Sequence, residues 1–169
     1  MNSNSLLLIR PATPADAEQI LAFILELAEY EKLAHEVVAT LDDVERTLFS
    51  GERPDAEVVI AEWDSKAAGF ALFFPNYSTF LARPGLYLED LFVRPSFRGR
   101  GIGKALLIQL ARICTERRYG RLDWSVLNWN ESAITFYLGL GARPLEAWTQ
   151  YRLDGEALSG LAGTDLSAT

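Results

Sequence analysis

Hydrophobic positions along the chain fall into two rhythms, one near every second residue and one near every third or fourth. Leu6 to Arg10 (LLLIR) is a short apolar run closed by Pro11 and Pro14, which predicts a first strand. Thr13 then stands as a helix cap before Pro14, and the predicted helix runs to about Tyr30. Within it Ile20, Ile24 and Leu27 share one face. Glu31 continues that line, so one more helical residue turns its carboxylate inward at the core edge. Leu41 to Phe49 predicts a second helix, with Thr40 as cap and Gly51 as stop.

Ala56 to Trp63 and Ala67 to Phe74 read as antiparallel strands joined through Asp64, Ser65 and Lys66. Pro75, Pro84 and Gly85 punctuate the stretch that follows, which reads as loop. Leu86 to Val93 (LYLEDLFV) is the next strand, stopped by Pro95. A helix opening near Gly101 carries Leu107, Leu110, Ala111 and Cys114 on one stripe, which makes Cys114 a packing residue rather than a reactive thiol. Arg121 to Leu127 is another strand, and Asn130 caps a short helix that stops at Gly141. Residues 143–153 suggest closing strands, and 159–169 a frayed tail. No repeat or linker interrupts the chain. Residues 1–169 therefore read as a single α/β domain with a mixed central β-sheet flanked by helices.

Composition narrows the function. The 169 residues, 49% hydrophobic and 23% charged, suffice for one domain with a sizeable core. A single cysteine excludes a disulfide framework within the chain and suits a reducing cytoplasm. With a single histidine beside it, no conventional zinc site is expected. The net charge of −7 argues against a nucleic-acid partner and favours encounter with a small cation. Arg10 and Pro11 interrupt the first apolar run, so neither a signal peptide nor a membrane span is expected.

The chemistry concentrates between Leu86 and Leu110. There an apolar strand passes through Arg98-Gly99-Arg100-Gly101-Ile102-Gly103-Lys104 into a helix. Unpaired N–H groups at the helix start form a site for a phosphate, and glycine lets the backbone approach it closely. Glu89 and Asp90 sit inside the apolar strand, on opposite faces unless a bulge intervenes. A dinucleotide fingerprint has a different glycine pattern near the N-terminus, and a Walker loop needs Ser or Thr where Ala105 follows Lys104.

The R-x-x-G-x-G spacing after LEDLFV resembles the acetyl-coenzyme A motif of the GCN5-related N-acetyltransferases. WNESAITFYLGLGAR is similar to that family's second segment. IRPATPADAEQI, ELAEYEKL, YLEDLFVRPSFRGRGIG and WNESAITFY narrow the resemblance to the diamine (spermidine/spermine-type) acetyltransferases and their thialysine-acetylating relatives. It covers the chain from Leu8 to about Leu158. It implies direct transfer of the acetyl group of acetyl-CoA to a primary amine in a ternary complex, without a metal, by a homodimer. It implies cofactor contacts from Leu91, Phe92 and Val93, from Arg98, Gly99, Arg100, Gly101, Ile102, Gly103 and Lys104, and from Asn130, Ser132, Ala133 and Tyr137. By the same resemblance Glu89 is the base, acting through a water, and Tyr137 the acid that protonates the departing thiolate. Glu31, Asp90, Trp124, Ser125 and Trp148 are implied around the amine.

The resemblance departs at Ser78-Thr79-Phe80, where polyamine acetylators of the group carry Asp-Pro-Trp. The segment is more like that of the thialysine-type relatives. A substrate with an amino-acid end and a primary amine, such as thialysine or a lysine analogue, is therefore expected at least as much as a polyamine. Acetylation of a protein or peptide amine is one competing reading. A non-catalytic acetyl-CoA-binding module is another, and the presence of both Glu89 and Tyr137 counts against it.

Overall fold

The first apolar run forms strand β1 (Leu7–Pro11), antiparallel to β2 (Glu57–Trp63). The structure is a computed structural model; it describes residues 6–164, in two compact units divided after Ser125. In the first unit, β2 turns through Asp64 and Ser65 into β3 (Lys66–Ser78). Both turn residues have positive φ, 51° and 60°, the hand that matches strand twist in a two-residue hairpin. Lys66, assigned to the turn by the sequence, is therefore already paired with Trp63. β3 pairs antiparallel with β4 (Arg83–Val93), and β4 pairs parallel with β5 (Leu122–Trp124). The strands lie in the order β1-β2-β3-β4-β5, the mixed sheet that the pattern implied.

β3 and β4 extend into the stretch that reads as loop. β3 continues through Pro75 to Ser78, opposite β4 down to Arg83. The β2 ladder stops at Glu57↔Phe73, so at Pro75 only β4 adjoins β3. A residue without an N–H is tolerated where one side of the strand is vacant.

Alternation puts Phe70, Leu72 and Phe74 of β3 on one face of the sheet and Ala71 and Phe73 on the other. Helices α1 (Ala17–Glu31) and α2 (Leu41–Phe49) cover the first face. The fully buried Phe23 of α1 stacks on Phe70, ring centroids 5.1 Å apart, and meets Phe92 edge-on at 6.4 Å. Ile20 and Leu27 flank it, and Ile24 packs at the margin. Arg10 fixes the entry to α1. Its guanidinium bonds both oxygens of Asp16 at 2.8 Å and Glu62 at 2.8 Å, joining β1, the first turn and β2. Helix α3 (Ile102–Glu116) packs on the opposite face through Leu106, Leu107, Leu110 and the buried Cys114, whereas Ala111 is exposed.

The second unit holds α4 (Glu131–Gly139) and α5 (Gly155–Ala162). Two expectations are overturned here. Residues 143–153 form no strand among the described residues: Pro144 lacks an N–H for a ladder, and Trp148 N–H closes a turn on the Leu145 carbonyl at 3.1 Å. Residues 159–162 are helical rather than frayed, because α5 starts at Gly155 and Ser159 Oγ donates to the Gly155 carbonyl at 3.0 Å. The rest of that tail, 165–169, lies outside the described residues. No helix among the described residues is long and apolar enough to cross a membrane.

Phe23→Ala removes the ring that joins α1 to β3 and β4, at a cost of about 3–5 kcal/mol. In a thermal melt this lowers Tm by roughly 10 °C, while truncation of the half-exposed Leu25 on the same helix shifts it by only about 1–2 °C. Equal shifts would contradict this packing.

Candidate active site

β3 and β4 keep register from Gly69↔Val93 to Leu72↔Asp90 and resume at Phe73↔Leu88, leaving Glu89 as one residue too many. That β-bulge decides where the two carboxylates point. Counted from Leu88, alternation puts Glu89 on the face of Tyr87 and Phe74. Counted from Leu91, it puts Asp90 on the face of Leu72 and Phe92. These are the same face, the one on which α1 lies.

β4 also loses its other neighbour at this point. Its ladder with β5 spans only Leu86↔Leu122 to Leu88↔Trp124, while β4 runs on to Val93. Arg94 N–H bonds the Ala68 carbonyl of the β3 side at 2.9 Å, so alternation turns the backbone groups of Val93 and Leu91 towards the vacant side. Such an edge accepts an extended, amide-bearing chain.

Asp90 is half-buried and Glu89 exposed. Burial, then the neighbouring charges of Glu89 and Glu31, push the Asp90 carboxyl up to about 6. Burial likewise raises Glu31, the last residue of α1. The structure thus gathers Glu31, Glu89 and Asp90 into one acidic group. Arg94 ties α1 to the end of β4 close by, a role the sequence reading missed. Its guanidinium grips Glu26 of α1 at 2.6 and 2.9 Å, donates to the Ala67 carbonyl at 2.8 Å and lies 4.7 Å over the Phe23 ring. Glu26 and Arg94 are 68 residues apart, so no local pattern pairs them.

The glycine turn lies at the end of β4. Gly99 and Gly101 both hold φ of 75°, and a Cβ at either would meet nothing within 4 Å. Conformation, not space, demands glycine there. The first helical bond of α3 runs from Ala105 N–H to Gly101, which leaves Ile102, Gly103 and Lys104 N–H as the helix's anion-facing donors. The two arginines are placed differently from a simple phosphate clamp. Arg98 Nε donates to the outward Val93 carbonyl at 2.9 Å and its guanidinium lies 4.6 Å over Tyr30. Arg100 lies 5.1 Å over Trp63. Both keep their charge beside the turn while packing on rings.

Trp124 pairs with Leu88 and shares its face by alternation. Ser125 follows on the acidic face, its Oγ 2.8 Å from the Tyr87 hydroxyl. In the second unit the Asn130 side chain accepts from Ala133 N–H at 3.3 Å and from Ser132 Oγ at 3.2 Å, a compact cap for α4. Tyr137 is half-buried on α4, its ring centroid 5.3 Å from that of Phe136. Trp148 is 74% exposed, in the segment that follows α4.

The raised Asp90 carboxyl makes stability pH-dependent. Between its ordinary value of 3.8 and about 6 the folded chain keeps a proton that the unfolded chain has lost, so this contribution falls as pH rises through that window. Asp90→Asn removes the penalty, with an expected gain on the order of 2 kcal/mol at pH 7 that vanishes by about pH 4. Urea melts at the two pH values measure it, and an equal gain at both would contradict the account.

Comparison with known proteins supplies the family. Residues 22–142 match the Acetyltransferase (GNAT) family, a stretch with parts in both units. The chain is 37% identical to thialysine N-epsilon-acetyltransferase of Sus scrofa over 92% of its own length and 97% of that protein's. It is 34% identical to an L-ornithine N5-acetyltransferase of Arabidopsis thaliana, over 90% of this chain and 86% of that one. Among solved structures, an integron cassette protein from the mobile metagenome of V. cholerae matches with a TM-score of 0.80 and 27% identity, over 95% of this chain and all of that one. Bulged strand, vacant edge and glycine turn thus stand in a chain that belongs to the GNAT acetyltransferases, acyltransferases that use acetyl-CoA.

Proposed function

We propose that the protein acetylates the terminal primary amine of a small α-amino acid of the ornithine or thialysine kind. The observation that carries this reading is the acidic group of Glu31, Glu89 and Asp90 beside a vacant strand edge and a glycine turn. Two relatives named for ornithine and thialysine support the amino-acid end, since both compounds join an α-amino acid to a distal amine.

The residues fit acetyl-CoA. Ile102, Gly103 and Lys104 N–H, with the Lys104 ammonium and the nearby charges of Arg98 and Arg100, suit its pyrophosphate. The outward backbone groups of Leu91 and Val93, beside Phe92, suit its amide-bearing arm. When bound, the coenzyme supplies the acetyl group as an activated thioester. The chain's own residues manage charge and protons. Glu31 and Asp90 draw the cationic end of the substrate into the site. Glu89, exposed at the bulge, takes a proton from the ammonium through a water, because only the free amine is a nucleophile. An outward N–H of β4 stabilises negative charge on the carbonyl oxygen. Tyr137 returns a proton to the departing thiolate, a role assigned from the family segment, as are the cofactor contacts of Asn130, Ser132 and Ala133. A phenol with a pKa near 10 is matched to that task.

Thiol release measured over a panel of amines tests the reading, with L-ornithine and thialysine expected to outpace basic peptides. Tyr137→Phe lowers kcat by about a hundredfold with little change in the KM for acetyl-CoA. Glu89→Gln moves the pH–rate profile upwards, to where free amine is already present. Parental kcat in Tyr137→Phe removes that residue from the acid role, and peptides acetylated faster than amino acids sink the substrate class.

A further inference from the structure

The face that carries Glu89 does not stop at the acidic group. Down β4 it continues through Tyr87 to Gly85, across β3 through Phe74 and Asn76, and across β5 to Asp123. None of these belongs to the core beneath α1 and α2. Phe74 and Tyr87 lie with ring centroids 5.3 Å apart, both part-exposed, and form an apolar floor next to the carboxylates. Beyond that floor Asp123 Oδ2 forms an ion pair with Arg121 Nε at 2.6 Å and accepts a hydrogen bond from Asn76 Nδ2 at 3.0 Å. Gly85 makes this packing possible. A Cβ there would meet Asn76 Oδ1 and would come within 2.9 Å of the Arg121 stem. Arg121 is therefore laid along the strand with its Nε beside Asp123, while its side chain stays 42% exposed.

We propose that Arg121, held by Asp123 and given room by Gly85, binds the α-carboxylate of the substrate whose distal amine lies at Glu89. The proposal rests on the amino-acid reading above and adds the residues that distinguish such a substrate from a diamine. Glu89 stands two residues beyond Tyr87, the strand partner of Asp123, roughly 7 Å along the sheet, and Asp123 draws the Arg121 guanidinium towards that level. That span suits the extended ornithine or thialysine skeleton, with its methylenes over the Phe74–Tyr87 rings. The α-ammonium falls beside Asp123, so an ion pair on the strand meets the zwitterionic end of the substrate. A diamine brings a second cation to this place and meets Arg121 with like charge. Discrimination then comes from an attraction and a repulsion at one side chain.

The test uses the full chain with coenzyme A present. Calorimetric titration compares L-ornithine with 1,4-diaminobutane, which is ornithine without its carboxylate. The parent should bind ornithine at least about tenfold tighter. Arg121→Gln should bring that ratio near one, while Arg112→Gln, the same loss of charge on the exposed side of α3, keeps it. A parental ratio of one or less overturns the proposal, as does a ratio that survives Arg121→Gln or falls equally in Arg112→Gln. A parent that shows the ratio yet releases no thiol with any amine removes the transfer reading and leaves this one standing. Turnover that ignores the carboxylate does the reverse.

Discussion

β4 is paired on one side at every residue but Glu89 and along only three residues on the other, and the site follows from that imbalance. Backbone groups that lose a strand partner must be satisfied in some other way. Arg98 takes the Val93 carbonyl, and the remaining outward groups stay available to a ligand that can imitate a strand. The surplus residue Glu89 falls where the β5 ladder ends. One irregularity therefore both aims two carboxylates at the same face and sits at the head of the vacant edge.

The surroundings make that irregularity tolerable. Phe23 wedges between Phe70 and Phe92, and Arg94 pins α1 to the end of β4 through Glu26. These contacts are strong, partly buried and independent of any ligand. Against them the acidic group is a local liability: three carboxylates crowd together, and burial disfavours the charge on Asp90. A site that stores unfavourable charge in this way is poised for a cationic ligand, whose arrival relieves what folding imposed. The Arg121–Asp123 pair further along the same face is internally neutralised, which suits it to the end of a substrate that carries both charges.

Local features were readable from the chain. Helix caps at Thr40 and Asn130 and the glycine turn at Gly99 and Gly101 depend on residues a few positions apart, and each is found as expected. Features that depend on register were not. Glu89 and Asp90 read as opposed residues unless a bulge intervenes, and whether one does is decided only relative to β3. Pro75 read as a strand end, although the strand it interrupts has a neighbour on only one side there. The motif named Arg98 and Arg100 as cofactor contacts but not the rings they lie on, which come from α1, β2 and the turn before α3. The closing strands expected over 143–153 failed for the converse reason: apolar residues there lack a steady alternation, and a turn at Leu145–Trp148 takes precedence.

The central claim is that the vacant side of β4 and the start of α3 together form the cofactor cradle. Residue-resolved amide hydrogen exchange, with and without coenzyme A, tests it most directly. The account predicts slower exchange at Leu91 and Val93 and at Ile102 to Lys104, with little change at Val58 to Ala61 in β2, already paired on both sides. Binding of coenzyme A that leaves those amides of β4 and α3 unprotected would contradict it.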